Sequence, residues 1–260
     1  MDIQLHGKAA LITGGSTGLG LAMAKRFAAS GADVAIAARR PDVLEQARQE
    51  IGSKARGRVQ AFPADVTNAE SVRRLFADAE RGLGKVDILI NNAGASSTGA
   101  FETLTDEVWM QDFDLKLFSA IRLCRLAWPG MKARHWGRIL NVLNIGAKAP
   151  GPGGAPTHVT RAAGMALTKV LAGEGAPHNI LVNALCTGLI VSDQWVRRHK
   201  NSGTSVPFRE WLQAKTGGIP LARFGEAEEF ANLACFLVSD ASSYITGTAI
   251  NVDGGLSPVV

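Results

Sequence analysis

The sequence predicts a doubly wound α/β fold, in which a parallel sheet carries helices on both faces. Two observations predict it: short apolar runs recur along the chain, and longer stretches with helical periodicity separate them. Apolar runs without polar alternation are typical of strands that are buried on both faces, as in a parallel sheet. Strand and helix in repeated succession then give the doubly wound architecture.

Seven apolar runs are the predicted strands, and two helical stretches have clear boundaries. The runs lie at residues 9–12, 34–37, 59–62, 86–90, 138–142, 180–183 and 249–252. A helix is predicted over residues 19–30, where it ends at Gly31, and another over Ala69–Leu83 after the possible N-cap Asn68. A chain of 260 residues of this kind is expected to form one domain, residues 1–260.

Two segments interrupt the alternation. Residues 147–156 are rich in proline and glycine and are therefore predicted to be a loop. Residues 189–220 separate two predicted strands and contain three aromatic residues and the basic run 197–200. We expect this segment to be a lid over a site at the carboxyl ends of the strands, since long insertions at that edge are usually functional. The alternative is a surface excursion with its own short helices.

Composition restricts the class of protein. The net charge is +5, and apart from the short basic cluster at 197–200 the lysines and arginines are scattered, which argues against a nucleic-acid-binding protein. The chain lacks an apolar segment of about 18 residues and a basic start followed by an apolar run, so no membrane span is expected. Cys124, Cys186 and Cys235 lie far apart without metal-ligand spacing. We expect buried thiols, no metal and a cytoplasmic location.

The strongest motif is TGGSTGLG at residues 13–20. It follows the first predicted strand and opens the first predicted helix, which is the setting of a dinucleotide-binding turn. Glycines there permit a tight turn and let a pyrophosphate approach the helix N-terminus, where free N–H groups favour negative charge. The expected cofactor contacts in the motif are Gly14, Ser16, Thr17, Gly18, Leu19 and Gly20.

Taken with four further motifs, this turn resembles the short-chain dehydrogenase/reductase family over nearly the whole chain. The further motifs are DV at residues 65–66, NNAG at 91–94, ITG at 245–247 and VDGG at 252–255. The resemblance implies a Rossmann-type domain, a nicotinamide cofactor, a small-molecule substrate and a homo-oligomer, either a dimer or a tetramer. It implies further cofactor contacts at Asp65, Val66, Asn91, Ala93, Gly94 and Gly188.

The end of the second predicted strand favours NADP over NAD. An NAD site usually has an acidic residue there, which accepts hydrogen bonds from the ribose 2′-hydroxyl. This chain instead has Arg39 and Arg40. Because a guanidinium pairs with phosphate through two charge-assisted hydrogen bonds, we expect the 2′-phosphate of NADP to bind these arginines, Arg39 first.

The catalytic positions of the family are all substituted. The resemblance implies an Asn, a Ser, a Tyr and a Lys, and the register set by residues 141–144 and 160–163 places Asp114, Asn144, Thr157 and Arg161 there. The one tyrosine of the chain, Tyr244, lies in a C-terminal segment, so no phenol can donate the proton. A threonine hydroxyl is a far weaker acid, and an arginine stays protonated near neutral pH.

The substitutions nevertheless suggest a working geometry. We expect Asp114 and Arg161 to form an ion pair that holds Arg161 near the ribose hydroxyls, a contact that the resemblance implies for this position. Asn144 and Thr157 remain able to hydrogen-bond a substrate oxygen. His158 and Lys148 are two other possible proton sources, although His158 is expected to point about 100° away from Thr157 on a helix.

Three functions remain open from the sequence. The first is an NADP-dependent oxidoreductase that acts on a carbonyl or alcohol with a non-standard proton donor. The second is a homologue that binds the cofactor without redox catalysis, as a sensor or partner subunit. The third is a non-redox enzyme that acts on a carbonyl compound.

Overall fold

A computed structural model describes residues 3–260 and contains a seven-stranded parallel sheet. The strands are β1 Ala9–Thr13, β2 Asp33–Ala38, β3 Val59–Pro63, β4 Ile88–Asn91, β5 Gly137–Asn144, β6 Ile180–Thr187 and β7 Ala249–Val252. They lie in the order β3-β2-β1-β4-β5-β6-β7. Each predicted apolar run overlaps one strand, and the predicted doubly wound α/β fold is confirmed.

Nine α-helices occur in the described part of the chain. They are α1 Gly18–Ala29, α2 Pro41–Gly52, α3 Ala69–Leu83, α4 Asp106–Phe113, α5 Ser119–Ala133, α6 Thr157–Gly175, α7 Asp193–Asn201, α8 Phe208–Gln213 and α9 Ala227–Leu237. The α3 bounds are those predicted, and the Asn68 side chain accepts a hydrogen bond from Ser71 N at 2.9 Å. This bond caps an N–H group that the helix leaves free. Between α4 and α5, residues Asp114–Phe118 form a π-helical turn.

Helices cover both faces of the sheet and form two apolar cores. On one face, Met23 and Phe27 of α1 and Phe230 of α9 pack among strand residues with their side chains fully buried. On the other, Leu75 of α3 and Leu123 of α5 are buried in the same way. Burial of each side chain of this size contributes about 1.5–3 kcal/mol to the stability of the fold. The two cores therefore hold the helices firmly against the sheet.

The direction of the strand order reverses between β1 and β4, which opens a crevice at their carboxyl ends. The Thr13 hydroxyl accepts hydrogen bonds from Asn92 N and Ala93 N, each at 3.1 Å. The Asn92 amide donates in return to Thr13 O at 2.9 Å and to Gly14 O at 3.1 Å. These bonds tie the two strand ends together, so the walls of the crevice are fixed relative to each other.

At the other end of the sheet, where the strands begin, charged side chains cluster around Trp136. Lys8 Nζ lies 3.6 Å from the centroid of the indole ring, and Arg138 Cζ lies 4.3 Å from it. Asp240 accepts hydrogen bonds from Trp136 Nε1 at 3.0 Å and from Arg138 at 3.5 Å. Because Lys8 precedes β1 and Arg138 lies at the start of β5, this cluster is far from the crevice.

All three cysteines are free and buried, as predicted. Within residues 3–260, no helix combines the length and the apolar character that crossing a bilayer requires.

Candidate active site

The crevice holds two adjoining cavities along the carboxyl edge of the sheet. The first, of about 510 Å³, is lined by the glycine-rich turn, residues 92–96, the end of β5, the start of α6 and residues 192–194 and 197 around the start of α7. The second, of about 580 Å³, is lined by the same turn together with Arg39, Arg40, Asp65 and Val66. Seven residues line both cavities, so the two form one elongated cleft.

The glycine-rich turn has the geometry that close approach of a phosphate requires. Gly14 and Gly18 have φ angles of +63° and +54°, in the left-handed region that favours glycine. A Cβ atom at Gly20 would collide with the Gly14 carbonyl oxygen. The start of α1 therefore faces the cleft without side-chain obstruction, and the residues present fit a dinucleotide pyrophosphate.

The second cavity fits the adenosine half of such a ligand. Arg39 and Arg40 are exposed at the end of β2 and face this cavity, where an NAD site would present a carboxylate. The Asp65 carboxylate accepts hydrogen bonds from Thr67 N at 3.0 Å and from the Thr67 hydroxyl at 2.8 Å. This arrangement leaves Arg39 and Arg40 as the charged groups at the end of β2 that are available to a 2′-phosphate.

Two of the predicted cofactor residues lie behind the cleft instead of at its wall. The Asn91 amide donates to Asn141 Oδ1 at 2.9 Å inside the sheet, and its neighbours Asn92, Ala93 and Gly94 line the cavity. Gly188 packs so closely on Asp253 that an added Cβ would lie 2.5 Å from the Asp253 Cβ. Asn91 and Gly188 are thus not among the residues that line the two cavities, and direct cofactor contacts at these positions stay predictions.

The predicted ion pair between Asp114 and Arg161 is wrong. Asp114 Oδ1 accepts a hydrogen bond from Arg122 at 2.9 Å, whereas Arg161 Nη1 donates to Val142 O at 2.5 Å. Asp114 is the first residue of the π-helical turn, and it forms its ion pair with Arg122 of the next helix, α5. Arg161 lies against the cleft wall, where a Cβ at Gly94 would lie 2.5 Å from Arg161 Nη2.

Lys116, for which the sequence predicts no role, contacts Thr157. Lys116 Nζ donates to Thr157 Oγ1 at 2.7 Å and forms an ion pair with Asp112, and both charged side chains are 1% exposed. The Thr160 hydroxyl donates to Asp112 Oδ2 at 2.5 Å. Burial lowers the pKa of Lys116 to about 8, against the raising effect of Asp112 and with a further lowering by Arg161.

Thr157 lines the cavity, and the hydrogen-bonding capacity of its hydroxyl is in use. It accepts from Lys116 Nζ and from Ser97 N, the latter at 3.0 Å, and donates to Ser97 O at 2.7 Å. A hydroxyl has one hydrogen and two lone pairs, so these three bonds account for all of them. A substrate oxygen can bond this hydroxyl only if the bond to Ser97 O opens.

Asn144 and Arg161 line the same cavity. The Asn144 Oδ1 atom is buried and has no hydrogen-bond partner within residues 3–260, which leaves this amide free for a ligand. Burial lowers the pKa of Arg161 to about 10, so the guanidinium remains charged at neutral pH. Arg161, Lys116 and Asp112 together carry a net positive charge at this wall. That charge stabilises negative charge that develops on a bound oxygen.

The other two candidate proton sources do not line the cavity. The His158 ring fills the space beside Gly146 and Gly154, where an added Cβ atom would collide with it. Its position agrees with the expectation that His158 points away from Thr157. Lys148 follows a 3₁₀ turn, Ile145–Ala147, outside the set of lining residues.

A glycine-rich turn at a reversal of strand order, with a polar cluster at one end of the cleft, is typical of dinucleotide-binding α/β proteins. Comparison with known proteins gives the family. Residues 14–257 match the family model described as Enoyl-(Acyl carrier protein) reductase. The 3-oxoacyl-(acyl-carrier-protein) reductase of Aquifex aeolicus is 32% identical over 256 residues, which cover 98% of this chain and 100% of that protein. The chain belongs to the short-chain dehydrogenase/reductase family.

Solved structures of two relatives are similar over their whole length. L-sorbose reductase from Gluconobacter frateurii, complexed with NADPH and L-sorbose, has a TM-score of 0.95 and 35% identity, with 100% of both chains covered. A short chain oxidoreductase from Pseudomonas aeruginosa PAO1, NADPH-bound and described as containing an atypical catalytic center, has a TM-score of 0.91 and 35% identity, with 99% of both chains covered.

Proposed function

We propose that the protein is an NADP(H)-dependent oxidoreductase that interconverts a carbonyl compound and an alcohol, with Lys116 and Thr157 in place of the usual proton donor. The observation that carries the proposal is the 2.7 Å hydrogen bond from the buried Lys116 ammonium to the hydroxyl of Thr157, a residue that lines the cavity. The NADPH-bound relatives support the choice of cofactor, together with Arg39 and Arg40 in the second cavity.

The glycine-rich turn and Arg39 would hold the cofactor, which would supply the hydride when bound. Asn144 and Arg161 would orient the substrate oxygen and stabilise negative charge on it. The Thr157 hydroxyl would turn from Ser97 O to that oxygen, transfer its proton and take another from Lys116. Lys116 would be left as a neutral amine, still hydrogen-bonded to Asp112.

This assignment predicts a pH dependence. Carbonyl reduction needs Lys116 protonated, and the pKa of Lys116 is lowered to about 8. Reduction should therefore slow as the pH rises through about 8, whereas alcohol oxidation, which needs the neutral amine, should accelerate.

The test combines cofactor binding with turnover. Fluorescence titration with NADPH is followed by the loss of nicotinamide absorbance with a panel of carbonyl compounds that includes L-sorbose and 3-oxoacyl thioesters. Thr157→Val and Lys116→Met should each lower kcat by at least about 100-fold and change the NADPH affinity little. Thr168→Val is the matched control, since it removes another buried hydroxyl of α6, bonded to Asn141 at 2.9 Å, away from the cavity.

One observation favours the alternative of a cofactor-binding homologue without redox catalysis. The Thr157 hydroxyl already has every hydrogen-bonding position occupied by Ser97 and Lys116. NADPH binding without turnover of any carbonyl compound, and without an effect of Thr157→Val, would support that function over the oxidoreductase.

We also propose that the chain forms a homo-oligomer through α5 and α6. An apolar groove between these helices is lined by Ile121, Trp128, Leu167 and Leu171, and Val170 beside it is 57% exposed. Burial of this surface against a second copy would remove it from water. Light scattering of Val170→Asp should give a smaller mass than the native protein does.

A further inference from the structure

We infer that Arg197, on α7, binds the pyrophosphate of the cofactor and fastens α7 over the cleft. The inference rests on the proposed function only in requiring that a dinucleotide binds here. Arg197 lines both cavities of the cleft. The other residues that line both belong to the glycine-rich turn or to residues 93–95, and all of them are uncharged.

The junction of the two cavities is where the pyrophosphate of an extended dinucleotide must lie. Such a ligand places its nicotinamide toward Thr157 and Arg161 and its adenosine toward Arg39 and Asp65. The pyrophosphate joins the two halves and carries two negative charges. The start of α1 offers backbone N–H groups from one side, and Arg197 offers the charged group from the other.

The faces of α7 direct Arg197 toward the cleft. Trp195 is anchored away from it, with its ring centroid 5.0 Å from that of Phe224 and 6.1 Å from that of Trp211. Asp193, Gln194 and Arg197 all line the first cavity, and a spacing of three and four residues places them on one helix face. Arg198 instead stacks over Trp195, with its Cζ 4.8 Å from the ring centroid.

Arg197 is also free to take a new partner. It is exposed, and within residues 3–260 it makes no ion pair or side-chain hydrogen bond. The start of α7 is already near the phosphate turn, because a Cβ at Gly18 would lie 3.7 Å from the Ser192 Cβ. An arginine on the next turn of the helix can therefore reach the cleft floor without a large movement of the segment.

The experiment measures dissociation constants of NADPH, NADH and 2′-AMP by titration of the native protein, Arg197→Gln and Arg198→Gln. NADPH and NADH share the pyrophosphate, whereas 2′-AMP carries a 2′-phosphate and no pyrophosphate. Arg197→Gln should weaken NADPH and NADH alike by about tenfold or more, leave 2′-AMP within about twofold, and reduce the salt dependence of NADPH binding. Arg198→Gln makes the same charge change on the neighbouring residue and should leave all three ligands within about twofold.

Two results would overturn the inference while the native protein binds NADPH. Equal NADPH affinities for Arg197→Gln and Arg198→Gln would show that Arg197 makes no contact with the cofactor. A loss confined to NADPH and 2′-AMP would place Arg197 at the 2′-phosphate instead. If the native protein bound none of the three ligands, the proposed function would fail as well, so the two failures are distinct.

Discussion

The buried ion pair between Asp112 and Lys116 should dominate the stability of the site. Both side chains are 1% exposed, so removal of one partner leaves the other as an uncompensated buried charge. Lys116→Met and Asp112→Leu should each lower the free energy of unfolding by about 3–5 kcal/mol, a large part of the roughly 5–15 kcal/mol of a typical domain. The double variant should lose much less than the sum of the two.

The reason for this non-additivity is that the double variant leaves no unpaired buried charge. The neighbouring hydroxyls also keep partners without the pair. Thr160 Oγ1 can still donate to Thr157 O at 3.1 Å, and Thr157 still bonds Ser97. The assay is equilibrium unfolding in urea, with the coupling energy taken from the double-mutant cycle. Glu70→Gln, which breaks the ion pair to Arg73 with both side chains 60% exposed, is the control and should cost under about 1 kcal/mol.

The difference in unfolding free energy between the native protein and the double variant should also depend on pH. The pKa of Lys116 is lowered from its ordinary value of 10.5 to about 8 by burial, so between these values the unfolded chain holds a proton that the native protein has lost. The native protein should therefore gain stability, relative to the double variant, as the pH rises through this window. Additive single substitutions, each costing under about 1 kcal/mol, together with a flat pH profile, would refute a buried charge pair.

Three further predictions concern other parts of the molecule. Arg39→Ser should raise the dissociation constant of NADPH by about 10- to 100-fold and that of NADH by less than about twofold, measured by fluorescence titration. Burial raises the pKa of the Cys124 thiol to about 12, so a thiol reagent at pH 8 should label it only after unfolding. Trp136→Leu removes the ring over which Lys8 and Arg138 lie, and should cost about 1–3 kcal/mol in urea unfolding without changing NADPH affinity.

The sheet could be predicted from the sequence because strands buried on both faces leave an unmistakable pattern. The runs at residues 9–12 and 34–37 are wholly apolar, the other five are mostly apolar, and the glycine-rich turn fixes where the first strand ends. The cap at Asn68 has a similarly local cause, since its side chain bonds the backbone three residues on. Local signals of this kind do not depend on what the segment packs against.

The polar cluster of the site could not be predicted in the same way. A lysine on a helix is usually solvated, so nothing in the residue type alone indicates that Lys116 is buried. The family register predicts that Asp114 reaches Arg161, but it does not include the π-helical turn, which alters side-chain directions there. The one usable signal was the spacing of Asp112 and Lys116, four residues apart, which is that of a helical ion pair.

Because of the π-helical turn Asp114–Phe118, the arrangement of the site depends on the number of residues in this segment. Each residue of an α-helix advances the side chains by about 100°, and a π turn inserts extra backbone that offsets the two flanking helices. Deletion of one residue here would rotate α4 relative to α5 by about that angle and separate Lys116 from either Asp112 or Thr157. A protein could thus retain every residue type of the site and still lose the arrangement through a change in chain length alone.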